Sequence, residues 1–345
     1  MAQSKASLEN ASPCDLAWGS LVRRSLDAWG SRFPERRLEM GSLESFTSLD
    51  EFLGQRRRIP MFWFFQRREI FLSQRMMTKW SRDRLNDYIL LPATPGYVTE
   101  DDCFFVSHFW HAQDNPDPGG NYLRLFQDEL RPQSWSYVWV DWSCTPQAPR
   151  NEHEEYYFKR SLQTMSGIIR NSGFIWHYPP FEPRLWILYE MAENCFTHDG
   201  GLAVTEDNRE FGEHVIEMLK VGVRPTLEKH GYRCTYDRDQ EFLTAWLESL
   251  VLLKQLKLST DDIRRFQDQI TWHPSVQWTC IGTIKGVVEL RRYEGTLTFG
   301  GKCYKFTPFP NWVSTLPCDT IKFTPKRLET GRWEIFYGRC AKDLG

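Results

Sequence analysis

No two of the nine cysteines, at 14, 103, 144, 195, 234, 280, 303, 318 and 340, are separated by two residues. That excludes the CxxC halves of zinc ribbons and of thioredoxin-type redox motifs, and an odd, scattered set is no disulfide framework. The histidines at 108, 111, 153, 177 and 198 also lack metal-ligand spacing, so no metal and no required cofactor are expected. No run of 18 apolar residues occurs, since even MFWFFQRREIFL (61–72) is broken by charge, and a spanning helix is not expected. The opening MAQSKASLENASPCDLAWGS lacks the basic-then-apolar layout of a leader. Net charge is only −2, too little to carry the whole molecule onto nucleic acid or anionic lipid. There is no internal repeat. These absences together predict a reduced, cytoplasmic protein with no membrane partner.

Aromatic residues, by contrast, are plentiful: 15 Trp and 23 Phe in 345 residues, enough for a large core or an aromatic-lined pocket. Residues 103–193 organise them. CFFVSHFW (103–110) leads through DNPDPGG into the helical stretch NYLRLFQDEL; YVWVDWSCTPQ (137–147) leads into a helix over 152–170; SGFIWHY (172–178) leads into PPFEPRLWILYEMAEN. Three strand–helix units in succession predict a parallel sheet with crossover helices, with ligands at the carboxyl ends of its strands. Around this α/β core (101–205), the sequence divides into a polar, mobile N-terminal segment (1–45), a basic and aromatic helical region (46–100), a helical region (206–271) and an antiparallel β-rich region (272–345). In the last, Gly300–Gly301 sits where a hairpin turn is expected.

VWVDWSCTPQ followed by FKRSLQTMSGII resembles the central block of the fungal heterokaryon-incompatibility (HET) domains, through Trp139, Asp141, Cys144, Gln147 and Met165. A Pro stands before Gln147. FFVSH and RLWILYEMAE are similar to the first strand and third-helix signature of the wider Toll/interleukin-receptor-like (TIR-like) superfamily, with Ile187 in place of the common Cys. The resemblance covers about 100 residues. It implies a TIR-like (flavodoxin-like) parallel sheet, extended by helices and by the β-rich tail. It also implies that Glu190, beside Trp186, occupies the position of the carboxylate that serves NAD-glycosidic cleavage in enzymatic members.

Trp186 and Glu190 are four apart, so on a helix they share a face, and a carboxylate beside an indole wall suits an oxocarbenium-like ribosyl cation. The competing reading is an ion pair of Glu190 with Arg184 or Arg170. Ser107, His108 and Trp110 end the first strand and are candidate substrate contacts. Adjacent strand residues face opposite ways, so Ser107 reads as a ligand contact or a strand-end cap rather than as a nucleophile based on His108. Asp141, at the exit of a buried strand, reads as a substrate-binding carboxylate or a turn cap. Cys144 reads as a buried thiol before a nucleophile. The Gly pair of DNPDPGG could admit a phosphate to backbone N–H groups, although no P-loop Lys follows. From Arg56 to Arg84 nine Lys or Arg face two acids and interleave six aromatics. Arg56, Arg57, Arg58, Arg67 and Arg68 are therefore candidate RNA contacts, or else the solvated face of a helix with an aromatic core.

The leading expectation is a nucleotide-processing hydrolase or transferase that cleaves or moves the ADP-ribosyl part of NAD, with Glu190 as key carboxylate and NAD as substrate rather than cofactor. One alternative is a fungal natural-product synthase of secondary metabolism using aminoacyl-tRNA, of the arginine-containing cyclodipeptide type, in which the basic segment holds tRNA. Another is a non-enzymatic signalling or incompatibility module that self-associates.

Overall fold

The computed structural model describes residues 13–32, 37–55, 61–200, 202–255, 259–261, 263, 264 and 267, and the strands of the C-terminal region named below. The chain divides into two compact units, Met1–His177 and Tyr178–Gly345, so the division falls within the span 101–205.

The first unit is built on a five-stranded sheet of order β2-β1-β4-β3-β5, with β1 Phe62–Arg67, β2 Tyr88–Pro92, β3 Cys103–His108, β4 Tyr137–Trp139 and β5 Gly173–His177. The three strands expected from the apolar runs are all present, and β3 pairs in parallel with both β4 and β5. The sheet as a whole is mixed, not parallel. β1 runs antiparallel to β2 and to β4, and both strands come from the region expected to be helical. FWFF and YILLP are buried in every residue, and an apolar run without alternation does not distinguish strand from helix by its period.

The N-terminal segment also differs from expectation. Helices α1 (Pro13–Arg32) and α2 (Arg37–Glu44) are ordered elements. Trp18, Leu21, Ser25 and Trp29 recur at three- and four-residue spacing and are all buried, which gives α1 one apolar face. Trp29 Nε1 donates to the Leu90 carbonyl at 2.9 Å, and the Ser25 hydroxyl accepts from Leu90 N–H at 2.9 Å. Together they cover the free edge of β2, an edge that would otherwise offer unpaired backbone.

Short helices α3 (Leu49–Leu53) and α4 (Arg68–Ser73) flank β1. The two long connections are helical as read from the sequence: α5 (Asn121–Leu130) and, after the single turn α6 (Asp141–Cys144), α7 (Glu152–Asn171). Asn151 and Glu154 close a reciprocal capping box at the start of α7. One sheet face, carrying Val106, Val138 and Ile175, packs with Leu123, Phe126 and Leu130 of α5.

The second unit contains α8 (Leu185–Thr197), α9 (Arg209–Val221), α10 (Val223–His230) and α11 (Asp237–Gln255). α8 packs against α9 and α11, and Trp246 of α11 donates through Nε1 to the fully buried carboxylate of Glu193 at 2.7 Å. Its β-rich part comprises β6 (Cys280–Ile284), β7 (Gly295–Phe299), β8 (Lys302–Phe306), β9 (Lys322–Arg327) and β10 (Trp333–Gly338). All pairings among them are antiparallel, and Phe299 pairs with Lys302 across the Gly300–Gly301 position. No helix among the described residues is long and apolar enough to cross a membrane.

Candidate functional site

At the carboxyl edge of the parallel strands, β3 ends in His108 and β4 runs out through Val140 to Asp141. His108 Nε2 lies 2.7 Å from Asp141 Oδ1, and Trp110 Nε1 donates to Asp141 Oδ2 at 2.9 Å. The backbone N–H of Trp142 donates to Oδ1 as well, at 2.5 Å. The carboxylate is thus held by three donors from two strand ends. Its main chain is held too: the Gln147 amide donates to the Asp141 carbonyl at 2.9 Å and the Thr145 hydroxyl at 2.7 Å. Gln147 therefore acts as a clamp on the turn rather than as a surface residue.

Access divides the pair. The His108 side chain is 3% exposed and that of Asp141 32%. The other ring nitrogen, His108 Nδ1, is buried with no hydrogen-bond partner. With Nε2–H directed at a carboxylate, the neutral ring keeps its lone pair on Nδ1. A buried acceptor left unmet costs roughly 1–3 kcal/mol, so the site retains one unused basic atom. Trp110 and Trp142 meet edge to face at 5.3 Å, and the rings of His108 and Trp110 lie within 21° of parallel. A partly exposed carboxylate beside the half-buried indole of Trp110 is a chemically sound seat for a planar cation, while the buried Trp142 already has the Lys79 ammonium over its ring. His177, in register with His108 on β5, reaches Glu129 at 3.0 Å, a neighbour that sequence reading did not single out. Its only signal was its place at a strand end.

The remaining candidates distribute unevenly. Ser107 is buried and engaged, and strand alternation puts it on the face opposite His108, so it does not join the cluster. Cys144 is fully buried, its thiol directed at the Val138 carbonyl at 3.6 Å and its pKa pushed up to about 12 by burial. That is the wrong state for a nucleophile. The DNPDPGG loop does not leave its helix end open to a phosphate: the Asp117 carboxylate accepts from Asn121 N–H at 3.0 Å and Leu123 N–H at 2.8 Å. Gly120 serves packing instead, since a Cβ there would stand 2.6 Å from the Arg75 carbonyl oxygen.

Arg56, Arg57 and Arg58 lie outside the described residues. Arg67 pairs with Glu69 at 3.2 Å, and Arg68 donates to the carbonyls of Arg131 and Gln133. All six interleaved aromatics, Phe62, Trp63, Phe64, Phe65, Phe71 and Trp80, are buried. They are core and not a platform on which bases stack, because four of them form a strand inside the sheet.

Trp186 and Glu190 both lie on α8 of the second unit and are half-buried. Glu190 is not without a partner. In the same unit His214, Glu217 and His230 bring potential ligand atoms within 4.8 Å of one another; the His-x-x-Glu spacing of 214 and 217 was the signal the sequence offered for it. No family model, no curated protein and no solved structure matches the chain.

Proposed function

We propose that the chain is a nucleotide-processing enzyme, that its substrate is NAD, and that the His108–Asp141 pair supplies its acid–base chemistry. The observation that carries this reading is the partly exposed Asp141 carboxylate at the carboxyl edge of the parallel strands, gripped by His108 and Trp110. In cleavage, the bond between the ribose and the nicotinamide nitrogen breaks and nicotinamide leaves with the electron pair. A water adds to the ribosyl cation, and the Asp141 carboxylate, the exposed member of the pair, takes the proton that the water loses. In transfer, an acceptor hydroxyl replaces the water. His108 and Trp110 orient the carboxylate for that transfer.

Three observations support a nucleotide. The parallel strands stand in the spatial order second, first, third, the order with which flavodoxin-like sheets begin, and such sheets take ligands at their carboxyl edge. The Asp141 carboxylate with the half-buried Trp110 suits the pyridinium cation of nicotinamide. The TIR-like resemblance points the same way, with Glu190 as the carboxylate it implies. A guanidinium is also a planar cation, so an arginine-using synthase is the second reading; the burial of the basic segment's aromatics weighs against its RNA contact.

Mass spectrometry of small molecules from cells expressing the wild type, Asp141→Asn, His108→Gln and Glu190→Gln tests this. Loss of NAD with gain of nicotinamide, abolished by the first two variants, is the expected result. Abolition by Glu190→Gln alone places the chemistry in the second unit and removes the dyad. A new amino-acid-derived product with NAD unchanged selects the synthase, and no difference in any arm selects the signalling module.

A further inference from the structure

The second unit carries a group of side chains that this chemistry does not use. His214 and Glu217 stand three residues apart on α9 and share a face. His230 ends α10, which begins directly after Gly222, a glycine whose φ of 101° lies in the region that disfavours a side chain. The imidazoles of His214 and His230 stack with centroids 3.5 Å apart. His230 Nε2 lies 2.8 Å from Glu217 Oε2, and His214 Nδ1 lies 2.8 Å from the Tyr232 hydroxyl.

Two imidazolium cations would repel one another at this separation, so the stack needs at least one neutral ring. A neutral imidazole is the form of histidine that coordinates metal.

We propose that His214, Glu217 and His230 form a site for a divalent transition-metal ion, zinc being the best match, with one coordination position left open. Two imidazole nitrogens and one carboxylate oxygen are the donor set of zinc sites that keep such a position. Ligand atoms around tetrahedral zinc stand roughly 3.3 Å apart. The three here lie within 4.8 Å, and to close on an ion the stacked rings must turn apart and His230 must exchange its contact with Glu217 for the metal. The Tyr232 hydroxyl on Nδ1 leaves Nε2 of His214 for the metal, the outer contact that orients metal-bound imidazoles. Lys229, 2.7 Å from Glu217 Oε1, competes for the carboxylate, but its side chain is 62% exposed and can swing into water.

Zinc titration of the metal-free full chain, read by calorimetry, tests the site, with cobalt replacing zinc to report donor type. The expected result is one ion per chain on nitrogen and oxygen donors. Affinity should fall more than about 100-fold in His230→Ala and about tenfold in Tyr232→Phe. Removing the competing cation in Lys229→Ala should tighten binding by up to about fivefold, a gain that a misfolded variant cannot produce. No stoichiometric uptake, thiolate donors, or affinity unchanged in both His230→Ala and Glu217→Gln would overturn the proposal.

Discussion

Removing one oxygen atom from Tyr157 tests how the sheet is closed around the site. β4 pairs with β1 only at Gln66 and Arg67, so the rest of that flank of β1 needs another partner. The Tyr157 hydroxyl of α7 provides it, accepting from the Phe64 N–H at 3.2 Å and donating to the Phe62 carbonyl at 3.0 Å. Both contacts are buried, and burial raises the phenol pKa so that it stays protonated and able to donate. Tyr157→Phe keeps the ring and its packing but leaves one donor and one acceptor unmet. At roughly 1–3 kcal/mol for each, with partial relaxation, the loss is about 3 kcal/mol. Because the chain has two units, a single unfolding midpoint is a poor readout. Hydrogen exchange followed by mass spectrometry on the 61–67 peptide reports the local opening directly. A loss of about 3 kcal/mol accelerates exchange there roughly a hundredfold. Acceleration of less than about threefold would refute the view that this hydroxyl stands in for a missing strand.

Gly120→Ala should destabilise the first unit by about 2 kcal/mol or more, seen as a lower urea midpoint. A Cβ there meets the Arg75 carbonyl, and φ of +63° disfavours any side chain. In the second unit, burial holds the Glu248 carboxyl above its ordinary pKa, while Arg224, 2.8 Å away, pulls it down. Arg224→Met should therefore cost about 2 kcal/mol at neutral pH, discounted for the exposure of the arginine. The folded pKa rises further in the variant, above the unfolded value. Its deficit should accordingly shrink as pH falls through the folded pKa and be smallest below the unfolded one, as urea unfolding at several pH values would show. Cys144→Ala should leave product formation within about twofold of wild type, and the native thiol should resist iodoacetamide at neutral pH. A loss of turnover comparable with that of Asp141→Asn would return Cys144 to the list of reacting groups.

Much of the α/β pattern is legible in the chain because its signals are local. The runs CFFVSH and GFIWH bounded by turn residues, the apolar spacing of NYLRLFQDEL and the Asn151–Glu154 cap all act within a few residues. They define β3, β5, α5 and α7 without reference to the rest of the fold. The same reading assigned FWFF and YILLP to helix, because period alone does not decide a fully apolar run. It assigned residues 13–32 to a mobile segment, because the polar start of the chain outweighed the helical spacing of Trp18, Leu21 and Trp29. Those elements take their form from each other: β1 from β2, β2 from Trp29 and Ser25.

His108, Trp110 and Asp141 were each visible as polar or aromatic residues at strand ends. That His108 and Trp110 grip one carboxylate, 33 and 31 residues away, depends on β3 and β4 being parallel neighbours in one register. Ser107, adjacent in sequence, is excluded by the pleat. The sequence by itself determined which residues could carry chemistry and which short elements hold them. Only the tertiary structure decided which of them meet, because hydrogen-bond distance between remote residues is set by strand order and helix packing.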